Sequence, residues 1–151
     1  MKISLRKANF SDIEFLWYLR NQPDVHKYFK EARVISWKEH IDWILPIILE
    51  RKPRDLYVIQ EKLLPVGQIR FDYEKEKKTL VSISILGEFI KKGTSTEALK
   101  KAISLLNKTK RSKILIAEVH KENISSQKFF EGLKFKFKEK NGKWLEYFLN
   151  L

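Results

Sequence analysis

The densest chemical information in this 151-residue sequence lies at 81–99, VSISILGEFIKKGTSTEAL. There a strand runs through a basic, glycine-containing loop into a helix opened by the box Thr94-x-x-Glu97. Free main-chain amides at a helix start carry partial positive charge, and Lys91 and Lys92 add full charges beside them. The combination is an anion site whose natural occupant is a pyrophosphate. No Gly-x-x-x-x-Gly-Lys-[Ser/Thr] is present to support a nucleoside triphosphatase, and no Gly-x-Gly-x-x-Gly to support a dinucleotide fold. An ordinary strand-to-helix turn has the same outline, so the loop alone does not decide. Ser82 and Ser84 alternate with Val81, Ile83 and Ile85, giving that strand a polar face that suits either a site or solvent.

Glu118 sits inside the apolar run 114–119, where burial would raise its pKa toward the range of a useful base. The alternative is a strand-end carboxylate paired with Lys or Arg. His120 is the next candidate, because an imidazole titrates near neutrality without help, although a surface-loop histidine reads the same way. Three scattered histidines without His-x-x-x-His or clustered carboxylates form no metal site, so no metal is expected. The absence of cysteine excludes disulfides, thiolate nucleophiles and zinc ribbons.

The elements that must position these groups are short and alternate. The length suits one domain, 1–151, and the 43% hydrophobic content is enough for a core. A first strand is expected at 3–8. Ser11-Asp12-Ile13-Glu14 reads as a capping box for a helix with Ile13, Leu16, Trp17 and Leu19 inward, ended by Asn21-Gln22-Pro23. Ser36-Trp37-Lys38-Glu39 opens a second helix, which Pro46 kinks or ends. Strands follow at 56–61, 66–73 and 79–86, then the helix after Gly93 with Ala98, Leu99, Ala102, Ile103 and Leu106 inward. The run 114–119 suits a central strand, Asn123 an N-cap, and strands at 135–138 and 144–149 flank the hairpin signal Asn141-Gly142. The pattern predicts an α/β (α+β) fold, a mixed and mainly antiparallel sheet of about seven strands flanked by four helices. The longest apolar run, 43–49, is interrupted by Pro46 and far short of a membrane span, so a soluble cytoplasmic protein without membrane partners is expected. A net charge of +12 favours anionic ligands.

The order of elements and the loop together resemble the GNAT superfamily of acetyl-coenzyme A dependent N-acetyltransferases over nearly the whole chain. The family's loop Gln/Arg-x-x-Gly-x-Gly/Ala is matched by Ile90-Lys91-Lys92-Gly93-Thr94-Ser95, with Gly93 the strict identity. Asn123-Ile124-Ser125-Ser126-Gln127-Lys128-Phe129-Phe130-Glu131-Gly132-Leu133-Lys134-Phe135 is similar to the family's Asn-x-x-Ser-x-x-x-Tyr-Glu-x-Leu-Gly-Phe, with Phe130 in place of the tyrosine proposed to protonate the departing thiolate. The resemblance implies acetyl-CoA as acetyl donor, held by Lys91, Lys92, Gly93, Thr94, Ser95, Thr96, Asn123, Ser126 and Phe130. It also implies a bulged fourth strand diverging from the fifth, with Ser84, Ile85 and Leu86 beside the thioester. Glu118, Ser84 and His120 become the catalytic candidates.

Acceptor specificity in the superfamily is built by the first two helices. Leu19-Arg20-Asn21-Gln22-Pro23 with His40-x-x-Trp43 resembles both the ribosomal-protein N-terminal acetyltransferases and the acetyltransferases of UDP-linked 4-amino sugars. This implies Arg20, Asn21, His40 and Trp43 as substrate contacts, with Arg20, Arg51 or Arg54 meeting a diphosphate. A nucleotide-linked amino sugar is the leading acceptor, and a protein N-terminus or another small amine the alternative; a homodimer is admissible. In another class stand a non-catalytic acyl-CoA-binding module and, less favoured, a basic RNA-binding domain presenting Phe10, Tyr28 and Phe29.

Overall fold

A computed structural model describes residues 2–50 and 53–151, with the side chains of Lys91 and Lys92 outside the description. Seven strands form one sheet: β1 (Ile3–Lys7), β2 (Arg54–Glu61), β3 (Leu64–Tyr73), β4 (Lys78–Ile85), β5 (Ile114–His120), β6 (Lys136–Asn141) and β7 (Trp144–Asn150). Five helices accompany them: α1 (Ile13–Arg20), α2 (Pro23–His26), α3 (Trp37–Ile48), α4 (Thr94–Thr109) and α5 (Ile124–Gly132). The expected α/β class and mixed sheet are present, and α2, a single turn begun at Pro23, is the helix that periodicity had too few residues to reveal.

The caps show how local chemistry sets the elements. Ser36 and Glu39 form the expected reciprocal box at the start of α3. At α1 the box lies earlier than expected. Asn9 accepts from the Ser11 amide and Asp12 from the Asn9 amide at 2.8 Å, so Ser11 and Glu14 are not its members. Asp12 also receives two bonds of 2.7 Å from Arg6. Its burial pushes the carboxyl pKa up, but the hydrogen bonds from Arg6 and Asn9 outweigh burial and hold it below the usual range. The Thr94–Glu97 box does not form either. Gly93 is the N-cap of α4, in a left-handed conformation (φ 77°) with no side-chain cap bond, and Thr94 is the buried first helical residue. Pro46 does not end α3, which continues to Ile48. An internal proline costs about 3 kcal/mol, and the burial of Ile44 and Ile47 on either side offsets it.

The sheet order is β1-β2-β3-β4-β5-β7-β6, and β4–β5 is the parallel pair. That pair shares only the rungs Lys78↔Ile114, Thr79↔Leu115 and Leu80↔Ile116. Beyond them β4 runs on to Ile85 along β3, and β5 to His120 along β7, so the sheet splits into two blades. The expected bulge in the fourth strand is absent, because the β3–β4 register is continuous from Tyr73↔Thr79 to Gly67↔Ile85. The register shifts lie instead in β3, where Val66 is an extra residue opposite Ile59 and Gln60 of β2, and in β6, where Lys138 is an extra residue opposite β7.

One sheet face packs on α4 through Ala98, Leu99, Ala102 and Leu106, against Ile69, Phe71, Val81 and Leu115. The other packs on α1 and α3 through Leu16, Leu19, Ile44 and Ile47 against Leu56. Among the described residues no helix is long and apolar enough to cross a membrane.

Candidate active site

The split opens a cavity of about 1030 Å³ that runs from Trp43 and Arg70 at one end, past β4 and β5, to Ser95, Thr96 and Asn123 at the other. Its middle is main chain. The Leu86 amide donates to Val66 O at 2.9 Å, and Lys78 O accepts from Glu74 at 2.8 Å. With the continuous register these bonds fix the even-numbered main-chain groups of β4 toward β3 and the odd-numbered ones away from it. Past Leu80 no β5 rung meets the odd set, so the amides of Ile83 and Ile85 face the opening. Of the residues expected beside a thioester, Ile85 supplies such an amide, and Ser84 turns its side chain to the cavity. The Leu86 amide is engaged by Val66. Ile83 was not anticipated, because main-chain direction depends on the pairing with β3 and not on the side-chain pattern.

Gly67 shapes this stretch. A Cβ placed on it would strike Ser84 O and lie 2.9 Å from Ile85 Cγ1 and 3.1 Å from Ile85 Cα. Glycine is what allows β3 to press this closely on the segment that carries the Ile85 amide. Beside it Gln68 Nε2 reaches Ser84 Oγ at 3.5 Å, while Gln68 Oε1 is buried without a partner.

At the α4 end, the left-handed Gly93 turns the chain so that the first-turn amides of a 16-residue helix open on the cavity, lined there by Gly93, Ser95 and Thr96. Uncapped amides and the helix dipole make this a seat for an anion. Lys91 and Lys92 close the preceding 3-10 turn, and their side chains lie outside the described residues. Thr94 is buried beneath the helix start and is not part of the lining. Asn123 caps α5 by accepting from the Ser126 amide at 3.2 Å, and both line the cavity. Phe130 lines it too, only 5% exposed, with its ring 5.0 Å from those of Phe129 and Phe135. It has no proton to donate.

Glu118 is exposed, contrary to the burial its apolar neighbours suggest. Leu115, Ala117 and Val119 take the packed face of β5 and leave Glu118 on the open one, where Lys30 Nζ sits 3.3 and 3.4 Å from its two oxygens. The His120 ring lies between Tyr28 and Trp144, 5.3 Å from each. Its Nδ1 accepts from the Glu122 amide at 3.1 Å. With that lone pair engaged, the neutral ring carries its hydrogen on Nε2, an assignment from the bonding network that leaves no free nitrogen to act as base. In this structure His120 packs between two rings with Nδ1 engaged by the Glu122 amide.

The acceptor candidates divide. Arg20 donates to Glu31 O at 2.8 Å and Arg33 O at 3.0 Å and lies over Phe29, 4.8 Å from the ring centre. Asn21 makes a reciprocal pair with the main chain of Ile35. Both residues fasten the segment after α2 instead of presenting free groups to a ligand. His40 is 1% exposed. Its Nε2–H donates to Ile13 O at 2.8 Å, and burial lowers the ring's pKa, so it is a neutral core histidine with an unpartnered Nδ1. Trp43 lines the cavity with Arg70 over its ring at 5.4 Å. Arg70 and Arg54 both lie 3.0 Å from Asp72, and Arg51 lies outside the described residues. Tyr28 and Phe29 also line the cavity, so they do not join the exposed Phe10 in a nucleic-acid face.

Comparison with known proteins agrees with this geometry. A family model described as an acetyltransferase (GNAT) domain matches residues 2–136. No curated protein sequence matches the chain significantly. Among solved structures, a domain from Methanocaldococcus jannaschii is 25% identical, with a TM-score of 0.87 over 99% of both chains. The spermidine N-acetyltransferase of Vibrio cholerae, solved with CoA and spermine, is 16% identical, with a TM-score of 0.87 over 98% of this chain and 95% of that one. An acetyltransferase from Salmonella typhimurium that modifies the N-terminal serine of ribosomal protein L7/L12 is 16% identical, with a TM-score of 0.83 over 100% and 96%.

Proposed function

The chain belongs to the acetyltransferase (GNAT) domain family, and from that premise we propose that it moves the acetyl group of acetyl-CoA to a primary amine that is itself positively charged, either a small polyamine-like molecule or a peptide amino terminus. The split between β4 and β5, with unpaired amides in its wall and a helix N-terminus at its end, is the observation that carries this reading. The pyrophosphate rests on the first turn of α4, the pantetheine arm follows β4, and of the two outward amides, Ile83 and Ile85, one meets the thioester oxygen while the other pairs with the arm. The amide on the thioester is fixed before reaction and stabilises the oxyanion as it forms. Glu118 receives the incoming ammonium and takes its proton, and the freed amine attacks the thioester carbon. Phe130 cannot protonate the departing thiolate, so water reaching the wide cavity does so.

The charge of the lining supports a cationic acceptor over a nucleotide-linked sugar. Among the described residues, Asp24, Glu31, Glu39, Asp72 and Glu118 line the cavity against Arg20, Lys30 and Arg70, in a chain whose overall charge is +12. The arginines suited to a diphosphate are engaged elsewhere, Arg20 on main-chain carbonyls and Arg54 on Asp72. Two proteins of similar fold, named for spermidine and for a protein N-terminus, act on such amines. An amine panel read by release of free coenzyme thiol tests the proposal. Thiol release is expected with diamines and peptide amino termini. Faster release with a nucleotide-linked amino sugar than with any of these would overturn the acceptor class.

A further inference from the structure

Within that reading of the cavity, we propose that the protein acetylates itself at Lys30. The Nζ of Lys30 lies 3.3 and 3.4 Å from the two oxygens of Glu118 and 5.4 Å from the centre of the Trp144 ring. A carboxylate and an aromatic face holding a primary ammonium are the contacts an external acceptor would need. Lys30 therefore occupies the acceptor's own seat.

Two features make it an acceptor and not merely a plug. Its main chain is held in place, because Arg20 grips the carbonyls of Glu31 and Arg33 and stacks on Phe29, one residue before Lys30. Its side chain is 61% exposed and so free to swing along the cavity. A tethered amine is present at an effective concentration that no dilute substrate matches. In the step itself Glu118 takes one proton from the Lys30 ammonium. The Nζ lone pair then attacks the thioester carbonyl carbon of acetyl-CoA, the N–C bond forms and the C–S bond breaks. The second proton given up by the nitrogen ends on the coenzyme sulfur, and the first leaves from Glu118 to water. The product amide carries no charge, so it releases both Glu118 and Trp144 and clears the seat for an external amine.

The test is to incubate the intact protein with acetyl-CoA and no amine, and to map acetylated lysines by mass spectrometry over time. One acetyl group per chain is expected on Lys30, at a rate per chain that does not change with protein concentration and is at least about tenfold above any other lysine. Lys30→Arg, which keeps the charge at an exposed position, should lose the modification, and Glu118→Gln should slow it about tenfold or more. Acetyl groups spread at similar rates over exposed lysines, or a rate that rises with protein concentration, would overturn self-modification. Thiol release with external amines, run in parallel, separates the two claims. Turnover with Lys30 unmodified defeats this inference and leaves the transferase intact. Modified Lys30 without turnover of any external amine defeats the proposed acceptor class alone.

Discussion

Glu118→Gln lowers kcat by about 10²–10⁴-fold and leaves the affinity for acetyl-CoA within about twofold, the range general acid–base catalysis contributes. The amide keeps the size of the side chain and its reach to an ammonium but cannot take a proton. Glu118 lies on β5, two residues past the last rung shared with β4, and is not on α4, to which the proposal gives the pyrophosphate, so coenzyme binding has no reason to change. Stability has little reason to change either. The contact with Lys30 is a surface ion pair, worth about 0–1 kcal/mol. Initial rates of thiol release, calorimetry with acetyl-CoA and a melting curve make the three comparisons. An unchanged rate would reduce Glu118 to an anchor for Lys30.

Gly67→Ala has the second large effect, on both stability and rate. The new methyl meets main-chain atoms, Ser84 O and Ile85 Cα, which cannot swing aside as a side-chain tip does. Overpacking of this kind costs about 1–3 kcal/mol, which for a domain of this size lowers Tm by roughly 2–12 °C. The displacement falls on the segment whose Ile85 amide faces the cavity, and misplacement of a reacting group by about 1 Å is worth about 10²-fold in rate. Gly132→Ala is the matched control, because nothing lies within 4 Å of its added Cβ. It should leave Tm and kcat/KM near those of the parent. Equal behaviour of the two variants would show that the close approach of β3 to β4 does not shape the site.

Much of the fold was legible because local chemistry sets it. The Ser36–Glu39 box, the Asn123 cap and the apolar spacing along α4 each act within a few residues and appear where the pattern puts them. What failed depends on distant partners. Ser11 and Glu14 have the spacing of a box, but Arg6 across the turn draws Asp12 into that role. The run 114–119 reads as a strand buried on both faces. Yet β4 leaves β5 after the rung Leu80↔Ile116, so on the face they share Ile116 is buried while Glu118, two residues on, is exposed. Arg20 and Asn21 look like ligand contacts by type, while their actual partners, the carbonyls of 31, 33 and 35, carry no signature in side-chain identity. The turn at Gly93 was legible as the entry to a helix although its cap was not Thr94, because glycine in that place serves the same end by conformation. The divergence of β4 from β5 needed no bulge. A continuous pairing with β3 suffices when β5 follows β7 instead.

An NMR titration of the isotope-labelled protein with acetyl-CoA, following main-chain amides, tests the split-sheet site most directly. Saturation at one coenzyme per chain is predicted, with the largest amide shifts at Ile83, Ile85, Ser95 and Thr96. A titration that leaves those four amides unmoved, or that never saturates, would contradict the account.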